Sequence, residues 1–374
     1  MFLTDESPKS ARFQKPGLIS RWGKDRREEK RKGFSFDRPF VIIFLMDKRP
    51  QRIGGRRKQE GCVVGLELVS LFNALPGACA QGLVWGIMAI GVYITYKILD
   101  LADLTVDGTM CTGGAVCIVM MMTGHSVGFS MFCAFLAGVL AGLATGLLHT
   151  AMGIPAILAG ILTQLSLYSV NLRILGGKAN QAISLDKYDL LVSLRWIRDV
   201  PFYKNTIFVV AVAIVLLVAV LYWFFGTELG CSIRATGSNQ NMSRAQGINT
   251  DLTKILGLML SNGIVALSSA FLAQYNGFVD INMGRGAIVV GLAAVIIGEV
   301  VFGRIHGNFA FRLVSVAAGA IIYYLVMQIV MWLGLLSTND NKLLSAIIVA
   351  VFLAIPYLKG KYFTRLKKGG AANA

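Results

Sequence analysis

From Val63 onward the chain alternates long apolar runs with short polar breaks. The runs fall at 78–97, 108–123, 128–149, 155–174, 206–226, 254–272, 287–303, 311–333 and 342–358. Most are close to the roughly 20 residues a helix needs to cross a bilayer core. The second run is shorter and carries Gly108, Gly113 and Gly114. Such interruptions are tolerated at membrane depth only where protein or a water-filled path surrounds them, so a broken or re-entrant element is expected near 100–123. The third run carries Gly138, Gly142 and Gly146, a stripe that lets two helix backbones approach closely. The pattern predicts an all-α fold, a polytopic membrane helix bundle of about 8–10 spans.

Charge changes this picture at the two ends. Residues 1–60 hold 17 Lys/Arg against 8 Asp/Glu, whereas the rest of the 374 residues hold 19 against 12. The apolar patch Phe40–Met46 in that stretch is far too short to span, and no small-residue cleavage site follows it. Residues 1–62 are therefore expected to form a basic leader outside the bundle. Three readings stay open for it: a disordered tail against anionic lipid, a regulatory arm, or sequence preceding the native start. The membrane domain is expected over 63–374. The C-terminal stretch Lys359–Lys368 has five basic residues and no acid, which assigns the C-terminus to the cytoplasm. Counting back from it puts 227–253, Arg304, His306 and Arg312 on the same side, and 176–204 and 334–341 on the other. Whether 108–123 crosses or only dips then decides the side of the N-terminus.

Polar groups inside apolar surroundings are the candidate chemistry. Asp103 and Asp107 flank the short second span and Glu299 lies in the seventh; an ionisable group in a span is a functional candidate. The alternatives are a carboxylate at the positive end of the helix from Gly108 for the two Asp, and pairing to Arg304 or Arg234 for Glu299. At about 100° per residue, Gln164, Tyr168 and Asn171 share one helix face. Asn262 and Gln274 belong to the sixth span. Neutral hydrogen-bonding groups of this kind suit a solute path, and they serve equally as glue between helices. The six Cys form no CxxC pair and share no ligand spacing with the three His, so neither a disulfide framework nor a metal site is expected. No GxxxxGK[ST] is present to cradle ATP phosphates, and no HExxH or GxSxG to do hydrolysis. The chain is expected to be neither an enzyme nor a cofactor binder, and no nucleic acid is expected as a partner.

Residues 227–253, GTELGCSIRATGSNQNMSRAQGINTDL, have the layout of two short helices joined by a Gly-Ser-Asn turn. Ser238 and Asn239 suit helix starts, and Gly247 suits a helix end. This block resembles the cytoplasmic coupling loop of ATP-binding-cassette permeases of the branched-chain amino-acid/ribose class. The resemblance rests on Arg234-Ala235, Gly237, Asn239, Ala245 (one place from strict spacing) and Gly247-Ile248, and it implies that Arg234 and Arg244 of this loop reach a partner. Ala102–Gly108, reading ADLTVDG, is similar to the class's element after its first core span. Gly153–Gly160, Asn171–Gly177 and Ile296–Gly303 match further elements, so the likeness covers about residues 66–360. Within the class, the subgroup paired with lipoprotein-type binding proteins, including tryptophan-type systems, is the most similar. The resemblance implies a permease subunit in the cell (plasma or inner) membrane, forming the path for a small, amino-acid-like solute. It implies as partners a cytoplasmic ATPase, which binds the ATP, an extracytoplasmic solute-binding protein, the lipid bilayer and a second copy in a homodimer. The alternative is a secondary transporter or channel, whose sign would be a chain of membrane acids or an inverted repeat; neither is evident in the sequence.

Overall fold

The computed structural model describes residues 60–184, 188, 190–194, 205–303, 308–333, 343–352 and 354. The basic leader through Gln59, Arg304 and His306, the loop 334–341 and the basic stretch Lys359–Lys368 lie outside the described residues. So does the orientation expected for the C-terminus.

The apolar runs become helices, and turn chemistry sets their ends. α1 (Glu60–Tyr93) continues as a π-helical turn, Ile94–Ile98, and is followed by α2 (Val106–Met122), α3 (Val127–Thr150) and α4 (Ala156–Ile174). A short strand β1 (Asn180–Ala182) leads towards α5 (Thr206–Gly226), α6 (Glu228–Ser238), α7 (Gln240–Ala245) and α8 (Thr250–Asn276). Then come β2 (Phe278–Asp280), α9 (Ala287–Phe302), α10 (Phe309–Trp332) and α11 (Leu343–Phe352). The Asn205, Asn239 and Asn249 side chains cap α5, α7 and α8, each accepting from backbone N–H groups of the following turn. Gly277, in the left-handed region at φ 75°, ends α8 and turns the chain into β2. Among the described residues, six helices are long and apolar enough to cross a membrane, and α2, α9 and α11 are shorter apolar helices.

Close approaches fix the direction of each helix. Ser261 and Ser268 of α8 donate to the Gly91 and Val84 carbonyls of α1, each at 2.7 Å, so α1 and α8 run antiparallel. The glycine stripe of α3 packs on α8, Gly138 at Asn262, Gly142 at Leu258 and Gly146 at Ile255, again antiparallel. Gly82 and Gly86 of α1 meet Ile321 and Ala317 of α10 in the same sense. α2 instead runs parallel to α8, with Thr109 at Asn262, Gly113 at Ala266 and Cys117 at Gln274. α9 runs parallel to α1, with Gly291 at Met88 and Val92 and Glu299 at Lys97.

These senses make α1–α2–α3 and α8–α9–α10 two arms related by an inverted arrangement. Each long leading helix, α1 or α8, packs against the short and long helices of the other arm. In both arms a non-helical stretch, 99–105 or 281–286, follows the long helix before the short one begins. α2 starts opposite Asn262, well inside the bundle rather than level with Thr250 at the start of α8. The segment 99–122 therefore runs from the α6 end of the bundle to the opposite end, beginning in a non-helical stretch, rather than dipping in and returning. Because α1 runs towards α6, its Gly77 end is on the face opposite α6 and α7. The inverted arrangement was not legible in the sequence, because the two arms share packing but little residue pattern. On that face β1 pairs with β2 antiparallel, Gln181 opposite Val279, and ties the end of α4 to the end of α8.

Candidate functional site

The starts of α2 and α9 meet inside the bundle. Asp107, in the first turn of α2, accepts from the backbone N–H groups of Gly286 and Ile288, both at 3.0 Å, and so caps α9 from a distance. A carboxylate is stabilising there because it faces the positive end of the helix dipole. Beside this junction is a cavity of about 290 Å³. Its polar lining is Asp107, Gln164, Tyr168, Asn171 and Arg285. Four of the residues singled out from the sequence thus converge on one place. Asn171 is 1% exposed, and its amide nitrogen donates to the Gly108 carbonyl at 3.3 Å.

Asp103 and Asn262 lie next to that cavity but are bound to each other. The Asn262 amide donates to Asp103 Oδ2 at 2.7 Å, and the Thr105 backbone N–H donates to Oδ1 at 2.9 Å. Thr109 completes the set by donating to Asn262 Oδ1 at 2.8 Å. From Thr105 a hydroxyl chain runs through Thr145 to Thr163, at 2.7 and 2.9 Å. These groups are buried, so each bond replaces water that the interior lacks. Their effect is to hold the non-helical stretch 99–105 against α3, α4 and α8. Asp103 and Asn262 are therefore bound into the fold and are not among the residues that line the cavity, and an Asn262→Leu change acts first on the fold. In a double-mutant cycle of Asp103→Ala and Asn262→Ala, denaturation of the purified protein in detergent should show a coupling of roughly 1–2 kcal/mol. Additive effects would remove the bracket.

The other two candidates lie elsewhere. Gln274, fully buried near the far end of α8, accepts from the Leu191 backbone N–H at 3.1 Å and donates to Cys117 Sγ at 3.7 Å. It ties down the loop preceding α5. Glu299, in the last turn of α9, pairs with Lys97 of the π-helical turn at 3.0 Å, not with Arg234. Both side chains are about half exposed, which makes this a weak tie at the α6 end. Sequence reasoning missed Thr109 and Thr145, whose only signal was hydroxyls in otherwise apolar or Gly-rich runs. It also missed Arg285, a lone cation between Gly284 and Gly286.

Residues 227–253 form the two short helices α6 and α7. Thr227 starts α6, its hydroxyl accepting from the Gly230 N–H at 3.4 Å, and Asn239 starts α7, accepting from Met242. Gly247, at φ 81°, ends α7. Ala235 is half-buried on α6. Gly237 lies so close to the end of α1 that a Cβ there would overlap the Ile98 carbonyl oxygen. Arg234 is exposed, with its guanidinium carbon 5.7 Å from the centre of the Phe309 ring. Arg244 is tethered to α8, donating to Thr250 Oγ1 at 2.7 Å and pairing with Asp251 at 3.2 Å.

The family model described as "Branched-chain amino acid transport system / permease component" matches residues 76–356. The chain belongs to this permease family. The tyrosine transport system permease protein of Clostridioides difficile (strain R20291) is 40% identical over 283 residues, covering 75% of this chain and 91% of that protein. An uncharacterized protein of Rickettsia prowazekii (strain Madrid E) is 32% identical over 294 residues, covering 77% and 98%. The autoinducer 2 import system permease protein LsrC of Yersinia pestis (strain Pestoides F) is 28% identical over 218 residues, covering 57% and 58%. This permease is thus a multi-pass membrane protein of an ATP-binding-cassette transport class. Family membership also decides against an independent secondary transporter, which the inverted arms alone would have left standing.

Proposed function

We propose that this permease forms the inward path for an amino-acid-like solute, driven by a separate cytoplasmic ATPase and fed by an extracytoplasmic binding protein. The observation that carries the reading is the seat of Gly237 on the Ile98 carbonyl. α6 and α7 are then the cytoplasmic docking pair. Movement of a bound ATPase would push on the last turn of α1 and, through residues 99–105, on the wall of the cavity. On this reading the β1–β2 face is extracytoplasmic and receives the binding protein, and the C-terminus is cytoplasmic.

One chain supplies one docking pair, so two copies are needed to engage an ATPase dimer. α4 is the element that would face across the path. Its exposed surface mixes Leu158, Leu162 and Leu165 with Ser166, Tyr168 and Ser169. Lipid contact would penalise those polar groups, whereas a water-filled seam between copies accepts them. The solute class follows from the 40%-identical tyrosine system permease together with the small polar cavity.

Arg234→Glu tests the docking assignment. The variant should retain a monodisperse profile in detergent, because Arg234 is exposed and its contact with Phe309 is a minor cation–π term. Its uptake in proteoliposomes containing the ATPase and binding protein should fall about tenfold, as a rim charge is reversed against its partner. Unchanged uptake would remove α6 from the docking surface.

A further inference from the structure

The cavity beside the α2–α9 junction holds two groups that the fold does not use. Asn171 Oδ1 is buried with no hydrogen-bond partner, although the rest of that side chain is anchored to the Gly108 carbonyl. A buried acceptor left unpaired costs about 1–3 kcal/mol. Arg285, exposed at the rim, makes no ion pair or side-chain hydrogen bond among the described residues. Asp107, by contrast, is committed to the start of α9 through two bonds. Among the described residues, the cavity thus offers a free cation and a free buried acceptor, with a fixed carboxylate on the same wall. Leu165 and Ile281 supply apolar surface alongside.

We propose that this cavity is a holding station for the head group of an α-amino acid zwitterion. Arg285 takes the carboxylate, for which the guanidinium fork is the matching donor. The ammonium donates to Asn171 Oδ1, with Asp107 supplying negative charge nearby. The solute side chain lies along Leu165 and Ile281. The cavity is at the small end of the range for ligand pockets, and so suits a single amino acid. A neutral polyol would satisfy Asn171 and Gln164 but would leave Arg285 without an anion. Because Arg285 is open to water, its attraction is screened, and the station holds its cargo weakly enough to release it.

The station rests on the amino-acid reading above, and the test separates the two. The importer is reconstituted whole, with its ATPase and binding protein, and uptake is followed with radiolabelled L-tyrosine, a mixture of the other L-amino acids, and D-ribose. Uptake of neither amino-acid probe, whether or not D-ribose enters, overturns the solute reading and the station with it. Where the wild type carries an amino acid, Arg285→Gln and Asn171→Leu should each lower that uptake by about tenfold or more. ATP hydrolysis stimulated by the loaded binding protein should stay within about twofold, since neither residue is near α6. Arg285→Lys, which keeps the charge without the fork, should recover part of the loss. Arg285 is on an exposed turn, so its variants test the idea even where Asn171→Leu does not fold. Uptake by both Arg285 variants indistinguishable from wild type overturns the station alone.

Discussion

Gly113→Val is expected to abolish the folded permease. α2 lies parallel against α8, and a Cβ at position 113 would overlap the backbone of Ala266, not a side-chain tip that could swing away. The strain can be relieved only by moving α2 off α8. That movement strips the bond from Ser269 to the Met110 carbonyl, the 3.0 Å bond from the Gly114 N–H to Ser269 Oγ and the 2.8 Å bond from Thr109 to Asn262. Overpacking costs typically about 1–3 kcal/mol, and each buried bond lost leaves polar groups unpaired at about 1–3 kcal/mol more. The sum is comparable to the whole stability of a typical domain, about 5–15 kcal/mol. Size-exclusion chromatography of a fluorescently tagged chain should show loss of the monodisperse peak. Gly128→Val is the control, since a Cβ there meets nothing within 4 Å, and it should run like wild type. A normal peak for Gly113→Val would mean that α2 and α8 are not packed this closely.

Gly237→Val should give the opposite combination, a sound bundle that does not transport. The added side chain collides with the Ile98 carbonyl, so α6 must lift from the end of α1. The rest of the molecule can absorb this. α6 is a short surface helix, and the extended residue Asn239, at φ −156° and ψ 101°, separates it from α7. The bracket of Asp103, Asn262 and Thr109 is untouched. Uptake in proteoliposomes should fall to the level of vesicles lacking the ATPase, while the purified variant keeps its elution profile. Transport at wild-type rate would show that the seat on Ile98 plays no part in passing motion to the core.

The two glycines show where sequence reading stopped. Gly237 was visible as part of a turn, and Gly113 as part of a Gly-rich run. What each touches, Ile98 for the first and Ala266 for the second, belongs to a helix far away along the chain. The same holds for the polar residues. Asp103 and Asn262 were both legible as groups that lipid should not see, but their bond joins positions 159 apart. Glu299 was legible as an acid in an apolar run, but its partner Lys97 lies at a separation of 202 in the chain.

The sequence by itself determined the all-helical class, the placing of the apolar segments, the short second span and the paired helices at 227–253. Hydropathy, helix periodicity and capping depend on a residue and its near neighbours, so they can be read along the chain. Only the tertiary structure decided that α2 and α9 begin inside the bundle with Asp107 joining them. It also decided which polar groups lock the break at 99–105 in place, and that Arg285 lines the same cavity as Asn171. In a dry interior a polar side chain takes whichever partner the packing brings within hydrogen-bond reach. That choice is made between helices distant in sequence, where no local pattern records it.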